Sequence, residues 1–356
     1  MSSIKYYNVG EDIEQFPEAW MIVAWSKRGA GKTYGALWYA YQHKKTILYI
    51  KRTMDDVDLL MSGDEFGADM SPYAPINRDK HTNIKPVKLR KGFGAFYDTG
   101  EDGQPCGKPI AYVFALSAVH KFKGFDLSDV DYIIFDEFIP QLSERNNPNE
   151  SNLLLDLYMT VSRDRTLRGK QDIILMLFAN ATEISCPITN GLNLTDEIAD
   201  MTDKKEEYRY SEERGILLHF LLSDKYAYKK GKKSKIEQSM ENTKWGKMAF
   251  GGEFAYNDFS NIKGVNMKHL SPVVSLSYNQ NNYYIYFNHH KNVFYMCSVC
   301  SGKFRQHYDL DTDNGYKSFY RDYILTLQER TIDGIISYER YSMYNLIMNY
   351  RKIFKL

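Results

Sequence analysis

The stretch Ser26-Lys-Arg-Gly-Ala-Gly-Lys32-Thr33 lies between a short apolar run, Met21-Ile-Val-Ala-Trp25, and a segment with helical spacing over residues 33–41. A strand that ends in a glycine-containing turn and reopens as a helix points several backbone N–H groups at one spot, and the helix N-terminus adds partial positive charge there. With Gly-Lys-Thr at the helix start, the stretch matches the P-loop pattern except that Ser26 stands where the first glycine belongs. Serine keeps the small side chain and gives up some backbone freedom. Gly-Lys-Thr by itself is a weak signal; the strand before it and the helix after it carry the assignment. In such a loop the N–H groups of Gly29, Ala30, Gly31 and Lys32 face phosphate, Lys32 reaches the β- and γ-phosphates of ATP, and the Thr33 hydroxyl holds Mg2+. Ser26, Lys27 and Arg28 complete the predicted cradle, and Arg52, at the end of the next apolar run, is a further phosphate-facing candidate.

The remainder of the first half alternates in the way such a loop requires. Thr46-Ile-Leu-Tyr-Ile50, Ile110-Ala-Tyr-Val-Phe114, Asp131-Tyr-Ile-Ile-Phe135 and Ile173-Ile-Leu-Met-Leu-Phe178 are apolar runs without period-two alternation. Such runs suit strands covered on both faces, as in a mostly parallel sheet flanked by helices. The fold class is therefore α/β, with a second helix over 153–160. About a hundred residues beyond the loop, Asp136 and Glu137 end one of these runs, where ligands of open α/β sheets sit. This is a Walker B arrangement, in which Asp136 holds the Mg2+ shell and Glu137 is placed as general base. Asn180 ends the following run and is a candidate γ-phosphate sensor, the alternative being a turn or helix cap.

Texture changes after Thr182. Residues 196–213 are rich in charge, and six lysines crowd between Lys225 and Lys235. We read 1–190 as the P-loop domain, 191–235 as a linker region and 236–356 as a smaller α+β domain. Its strands are Pro272-Val-Val-Ser-Leu-Ser, Tyr283-Tyr-Ile-Tyr-Phe and Val293-Phe-Tyr-Met-Cys, and helical spacing follows over 319–356. Forty-six Lys and Arg balance 45 Asp and Glu, so a nucleic-acid reading must rest on local patches. Lys229, Lys230, Lys232 and Lys233, interleaved with tyrosines, form one such patch suited to a phosphate backbone, against the alternative of a solvated loop. Lys121 and Lys123 form a second.

Nothing in the chain approaches the roughly twenty apolar residues that span a bilayer, and the N-terminus lacks the pattern of a secretory signal, which points to an intracellular protein. Four cysteines are too few for a disulfide framework at this length. Cys297 and Cys300 have knuckle spacing but no second pair, and His289 and His290 fall on the wrong rhythm for a zinc finger. The 29 tyrosines are read as strand formers rather than stacking platforms. Arg163, Arg165 and Arg168, just before the 173–178 run, offer guanidiniums to a neighbouring subunit's γ-phosphate; Arg163 and Arg165 are the favoured fingers, with a solvated loop as the alternative.

Taken together, the loop, Ile47-Leu-Tyr-Ile-Lys-Arg52, Ile133-Ile-Phe-Asp-Glu-Phe-Ile139 and Arg163-Asp-Arg165 before Phe178-Ala-Asn-Ala181 resemble the DNA packaging (encapsidation) ATPases of small phi-29-like tailed phages, relatives of terminase large subunits. The likeness covers residues 5–190 and continues weakly into 244–253. It implies an ASCE-type motor that assembles as a ring, a pentamer, on the portal of a procapsid and drives double-stranded viral DNA inward. It implies residence in the cytoplasm of the infected host, docked at the portal vertex and absent from the mature virion, and a structural RNA that bridges motor and procapsid in some members. It also implies a second domain resembling an RNase H-like nuclease that has lost cleavage. Such a site needs converging carboxylates with one on the first strand. If 283–287 is that strand, it ends in Asn288 instead, and Asp309, Asp311 and Asp313 share one loop, so we expect no nuclease activity. A helicase, a phage assembly ATPase acting on protein, or a nucleotide-gated subunit that does not hydrolyse are the competing readings; Glu137 beside Asp136 speaks against the last.

Overall fold

The computed structural model describes residues 6–62, 71–122, 124–140, 144, 147–163, 165–180, 183–222, 226, 235–243, 246, 259–264 and 266–356. The chain divides into two compact units, Met1–Ile188 with Met201–Ala255, and Thr189–Asp200 with Tyr256–Leu356.

In the first unit, the described residues form a nine-stranded sheet. Its strands are β1 (Met21–Ser26), β2 (Thr46–Lys51), β3 (Ile84–Arg90), β4 (Phe93–Thr99), β5 (Pro105–Ala115), β6 (Val130–Asp136), β7 (Ile174–Asn180), β8 (Tyr208–Ser211) and β9 (Ile216–Phe220). Their order is β3-β4-β5-β2-β6-β7-β1-β9-β8. Every pairing from β5 across to β9 is parallel, and antiparallel strands close both edges. The apolar runs lie where two-sided burial demands: all six residues of β1 are buried, as are the middle residues of β2, β6 and β7. Buried aromatics, among them Trp25, Tyr73, Phe114 and Phe178, fill the layers between sheet and helices.

Two elements depart from the sequence reading. The β3–β4 hairpin went unread because β3 is an edge strand carrying Lys85, Lys88 and Arg90, the charges by which edges avoid further pairing. Residues 191–235 are not simply a linker. β9 pairs with β1 and β8 with β9, so the sheet runs past the predicted domain edge at 190. Those strands are short and flanked by exposed charge at 203–205 and 212–213, which hides their five- and four-residue patterns. The segment Thr189–Asp200 belongs instead to the second unit.

The described residues of the second unit form a five-stranded sheet in the order β13-β10-β11-β12-β14. Here β10 is Leu270–Tyr278, β11 Asn281–Asn288, β12 Val293–Cys297, β13 His307–Asp309 and β14 Ile336–Tyr338. β10, β11 and β12 form an antiparallel meander; β13 runs parallel to β10 and β14 parallel to β12. Alternation sorts β11 onto two faces: Ile285 joins a core with Val274, Phe319, Leu346 and Tyr350, whereas Tyr284 and Tyr286 pack with Tyr295 and Phe304 on the other side. Tyr283, Tyr284, Tyr286 and Tyr295 are strand residues, as read, whereas Tyr316, Tyr344 and Tyr350 lie on helices. The 283–287 run is the second strand of the sheet, not the first, and the first, β10, carries no carboxylate either.

Candidate functional site

β1 delivers the chain to Ser26, which is fully buried, and the loop turns on Gly29 and Gly31, both left-handed with φ 88° and 85°. A Cβ on Gly31 would stand 3.1 Å from the Tyr6 ring, while at Gly29 only the backbone conformation demands glycine. The Lys32–Gln42 helix opens at once from Gly31. Lys32 is buried, with its Nζ donating to Ser26 Oγ at 2.5 Å, and Ser26 Oγ donates on to the Lys27 carbonyl at 2.6 Å. The departure from the P-loop pattern is therefore a working contact: the serine holds the lysine. Burial lowers the Lys32 ammonium to about 8, opposed by the charges of Asp136 and Glu137.

The acid pair ends β6. Thr33 Oγ1 donates to Asp136 Oδ2 at 2.7 Å, Tyr49 OH donates to the same oxygen at 3.2 Å, and the Glu137 N–H donates to Asp136 Oδ1 at 3.1 Å. Sequence reasoning missed Tyr49; its only signal was a hydroxyl inside an otherwise apolar strand. Burial, then the charge of Asp136, holds the Tyr49 phenol well above its usual range. Glu137 is exposed and left-handed at φ 57°, a conformation that costs a non-glycine residue about 1–2 kcal/mol and gathers at functional sites. β7 lies between β1 and β6, in register Ser26↔Asn180 and Asp136↔Phe178. That placement brings Asn180 Nδ2 to 3.4 Å from Glu137 Oε1. Lys32, Thr33, Asp136, Glu137 and Asn180 thus gather at the C-terminal ends of three adjacent strands.

The donor set fits a nucleoside triphosphate with Mg2+. A buried ammonium and left-handed glycines before a helix start suit the phosphates. A hydroxyl and a carboxylate oxygen suit a hard cation that completes its shell with phosphate and water.

Two predicted arginines do other work. Arg52 does not face the loop: its guanidinium is bonded to Glu150, to Glu144 and to the carbonyls of Glu137 and Phe138. Burial pushes the Glu150 carboxyl up, against the pull of Arg52. Arg165 is 3% exposed and bonded to the carbonyls of Gln171, Ser128 and Val130 and to Asp131, so it cannot reach out to a neighbour. Several carbonyls and a carboxylate within reach make such a site a natural sink for a planar fork. Arg163, the C-cap of the Glu150–Ser162 helix, is exposed, as are Arg168, Arg28 and Lys121. Lys123, Lys229, Lys230, Lys232 and Lys233 lie outside the described residues.

In the second unit, Asp309, Asp311 and Asp313 each bond within the protein. Both oxygens of Asp311 accept from the Asn279 N–H, Asp309 Oδ1 accepts from Ser277 Oγ, and Asp313 pairs with Lys317. Asn288 Oδ1 accepts from the N–H groups of His290 and Lys291, closing the turn after β11.

A mostly parallel sheet with a glycine loop before a helix, and an acid pair one strand away, defines a P-loop NTPase fold carrying a smaller second α+β unit. The model of the podovirus DNA encapsidation protein (Gp16) family matches residues 99–323, more than half of the chain, and the chain belongs to that family. Among solved structures, it is similar to a chain of the bacteriophage Phi-29 viral genome packaging motor assembly, at 18% identity and TM-score 0.64 over 98% of this chain and 99% of that one. It is also similar to the Phi-28 gp11 DNA packaging motor, at 17% identity and TM-score 0.59 over 99% of both chains. At these identities the likeness speaks for the fold, which both units share with those chains. No curated protein sequence matches. Among the described residues, no helix is long and apolar enough to cross a membrane.

Proposed function

We propose that the chain hydrolyses ATP to drive viral double-stranded DNA through the portal of a procapsid, working as a ring. The observation that carries this reading is the convergence of Lys32, Thr33 and Asp136 with Glu137 at one end of the sheet. Lys32 holds the β- and γ-phosphates, Thr33 and Asp136 hold Mg2+, and the ion supplies charge neutralisation across the phosphates. Glu137 accepts the proton of the attacking water, and Asn180, within reach of its carboxylate, ties that base to the state of the γ-phosphate.

We assign the finger to Arg163, which is exposed at the end of the Glu150–Ser162 helix; Arg168 is exposed too. Arg165, two residues on, bonds to carbonyls at the N-terminal end of β6, whereas Asp136 ends that strand. A seven-residue strand spans about 20 Å, so an arginine at one end serves no nucleotide at the other end of the same chain. We read the finger as serving a neighbour's nucleotide within a ring; five subunits, docking on the portal and, where one is used, a packaging RNA are what the resemblance to the phage packaging ATPases implies.

The second unit supplies nucleic-acid contact without cleavage. Residues 259–308 contain no Asp or Glu but five Lys or Arg and four of the eight histidines, in a chain whose total charge is balanced. Lys268, His269, His290 and Lys291 meet at one end of β10 and β11, the two histidine rings 5.0 Å apart. A cluster of cationic side chains grips phosphates without reading sequence.

Hydrolysis of ATP by the purified chain, with and without long double-stranded DNA, tests the reading. Stimulation by DNA that Lys32→Ala and Glu137→Gln each abolish supports it. Turnover indifferent to both variants, or Mg2+-dependent cutting of plasmid, overturns it.

A further inference from the structure

Arg52 was expected at the phosphates and is found beneath the acid pair instead. Its Nε donates to Glu150 Oε1 at 2.7 Å and one terminal amine to Glu144 Oε2 at 2.8 Å. The other amine donates to the carbonyl of Phe138 at 2.8 Å and stands 3.5 Å from that of Glu137. The guanidinium carbon lies 5.4 Å from the centre of the Phe135 ring, and 14% of the side chain is exposed. Glu150, in the first turn of the following helix, has 3% of its side chain exposed, so the fork is itself anchored on a buried group.

Glu137 has a left-handed backbone, which a residue with a Cβ keeps only where its surroundings over-determine it. On the N-terminal side, Asp136 Oδ1 accepts the Glu137 N–H. On the C-terminal side, the Phe138 N–H donates to the Phe178 carbonyl at 3.1 Å, and Arg52 takes the two carbonyls. Without the fork those carbonyls are free to turn, the backbone of Glu137 relaxes toward the extended region, and its carboxylate swings away from Asn180. A lysine ammonium carries the same charge but has no planar fork with which to hold two carbonyls and two carboxylates at once.

We infer that Arg52 is the positioning residue for the general base, its fork anchored on Glu150 and gripping the Glu137 and Phe138 carbonyls so that the Glu137 carboxylate stays aimed at the nucleotide end of the sheet. The inference rests on the assignment of Glu137 proposed above. It assigns Arg52 to the chemical step and removes it from nucleotide binding.

The 356-residue chain, assembled with DNA, is compared as wild type, Arg52→Lys, Glu150→Gln, Glu137→Gln and the double variant Arg52→Lys with Glu137→Gln. Turnover is read against affinity for a fluorescent ATP analogue. Arg52→Lys is expected to lower turnover about 10- to 100-fold, the range for groups that orient a reacting residue, with affinity unchanged. Glu150→Gln, which touches neither nucleotide nor Glu137, lowers it in the same direction and less. The double variant is no slower than Glu137→Gln alone, because Arg52 acts through that carboxylate. A loss of affinity in Arg52→Lys returns the residue to the phosphates and overturns the inference. So does unchanged turnover, or an additive loss in the double variant. A wild-type chain without turnover overturns the functional reading and this role together, whereas an active wild type with an unaffected Arg52→Lys overturns this role alone.

Discussion

Arg165 and Asp131 pair at 3.4 Å at the start of the strand that Asp136 ends. The pair, with three backbone carbonyls around the same guanidinium, makes Arg165 part of the framework that sets the height of β6. Arg165→Ala removes the guanidinium from the Gln171, Ser128 and Val130 carbonyls and from Asp131, of which Ser128 keeps Lys170 and Asp131 keeps the Thr46 N–H, and is expected to cost about 3 kcal/mol, read as a lower denaturant midpoint. Arg163→Ala, at an exposed position, is expected to stay within about 0.5 kcal/mol of wild type. Its effect appears in assembled rings, where turnover falls. Mixing Arg163→Ala chains with Glu137→Gln chains restores part of that turnover, because each lends a neighbour what the other lacks. If mixing restores nothing, Arg163 does not act between subunits.

The Thr33 hydroxyl donates to the Asp136 carboxylate at 2.7 Å, and the proposed Mg2+ site draws on both oxygens. Thr33→Val and Asp136→Asn are each expected to raise the Mg2+ concentration for half-maximal turnover at least tenfold, in line with losses seen at metal ligands. A Mg2+ titration of hydrolysis checks this, and equal curves for variant and wild type would assign the ion elsewhere.

A buried polar chain stands behind the loop. Tyr7 OH donates to Asp12 Oδ2 at 2.8 Å, the same oxygen lies 2.9 Å from His219 Nδ1, and His219 Nε2 lies 3.2 Å from Tyr226 OH. The Tyr7 N–H also donates to the Ala30 carbonyl of the loop at 3.0 Å. Tyr7→Phe is expected to cost about 1–3 kcal/mol in chemical denaturation, by leaving Asp12 short of a donor.

Alkaline titration follows from the same burial. Desolvation raises the hydroxyls of Tyr7 and Tyr73 above the usual value, and Asp12 raises Tyr7 further. The folded chain then keeps protons that the unfolded chain releases above about pH 10, so this stabilisation is complete below that pH and is lost as pH rises beyond it. Tyrosinate absorbance from these two groups is expected to appear only together with loss of circular dichroism. Their ionisation in a still-folded chain would contradict the packing.

Lys268 and Lys291 flank paired histidines in the acid-free stretch. Replacing both by alanine is expected to weaken binding of unrelated DNA duplexes equally and to reduce the log–log salt slope by about 2, one phosphate contact each. A selective loss on one sequence would point to base contacts instead.

Much of this site was readable before folding. Local patterns that encode one strand, one turn and one helix start, such as Met21 through Thr33, need no distant partner to be recognised. The apolar run ending in Asp136 and Glu137 is of the same kind. The fates of Arg52 and Arg165 were not readable, because an arginine after a strand looks alike whether it meets phosphate or protein. Glu150 and Asp131 lie 98 and 34 residues away, and the carbonyls that complete the pairing belong to backbone with no sequence signature.

What the sequence alone determined, then, is the kind of sheet, the loop after its first strand and the acid pair that answers it, since each follows from short-range hydrophobic periodicity and turn chemistry. What only the tertiary structure decided is which cations are free, that β8 and β9 join the first sheet, that Tyr49 shares Asp136, and that Glu137 is held left-handed. Those outcomes depend on strand order and on which buried acceptors remain to be paired once the strands are side by side. Neither is a property of any single segment.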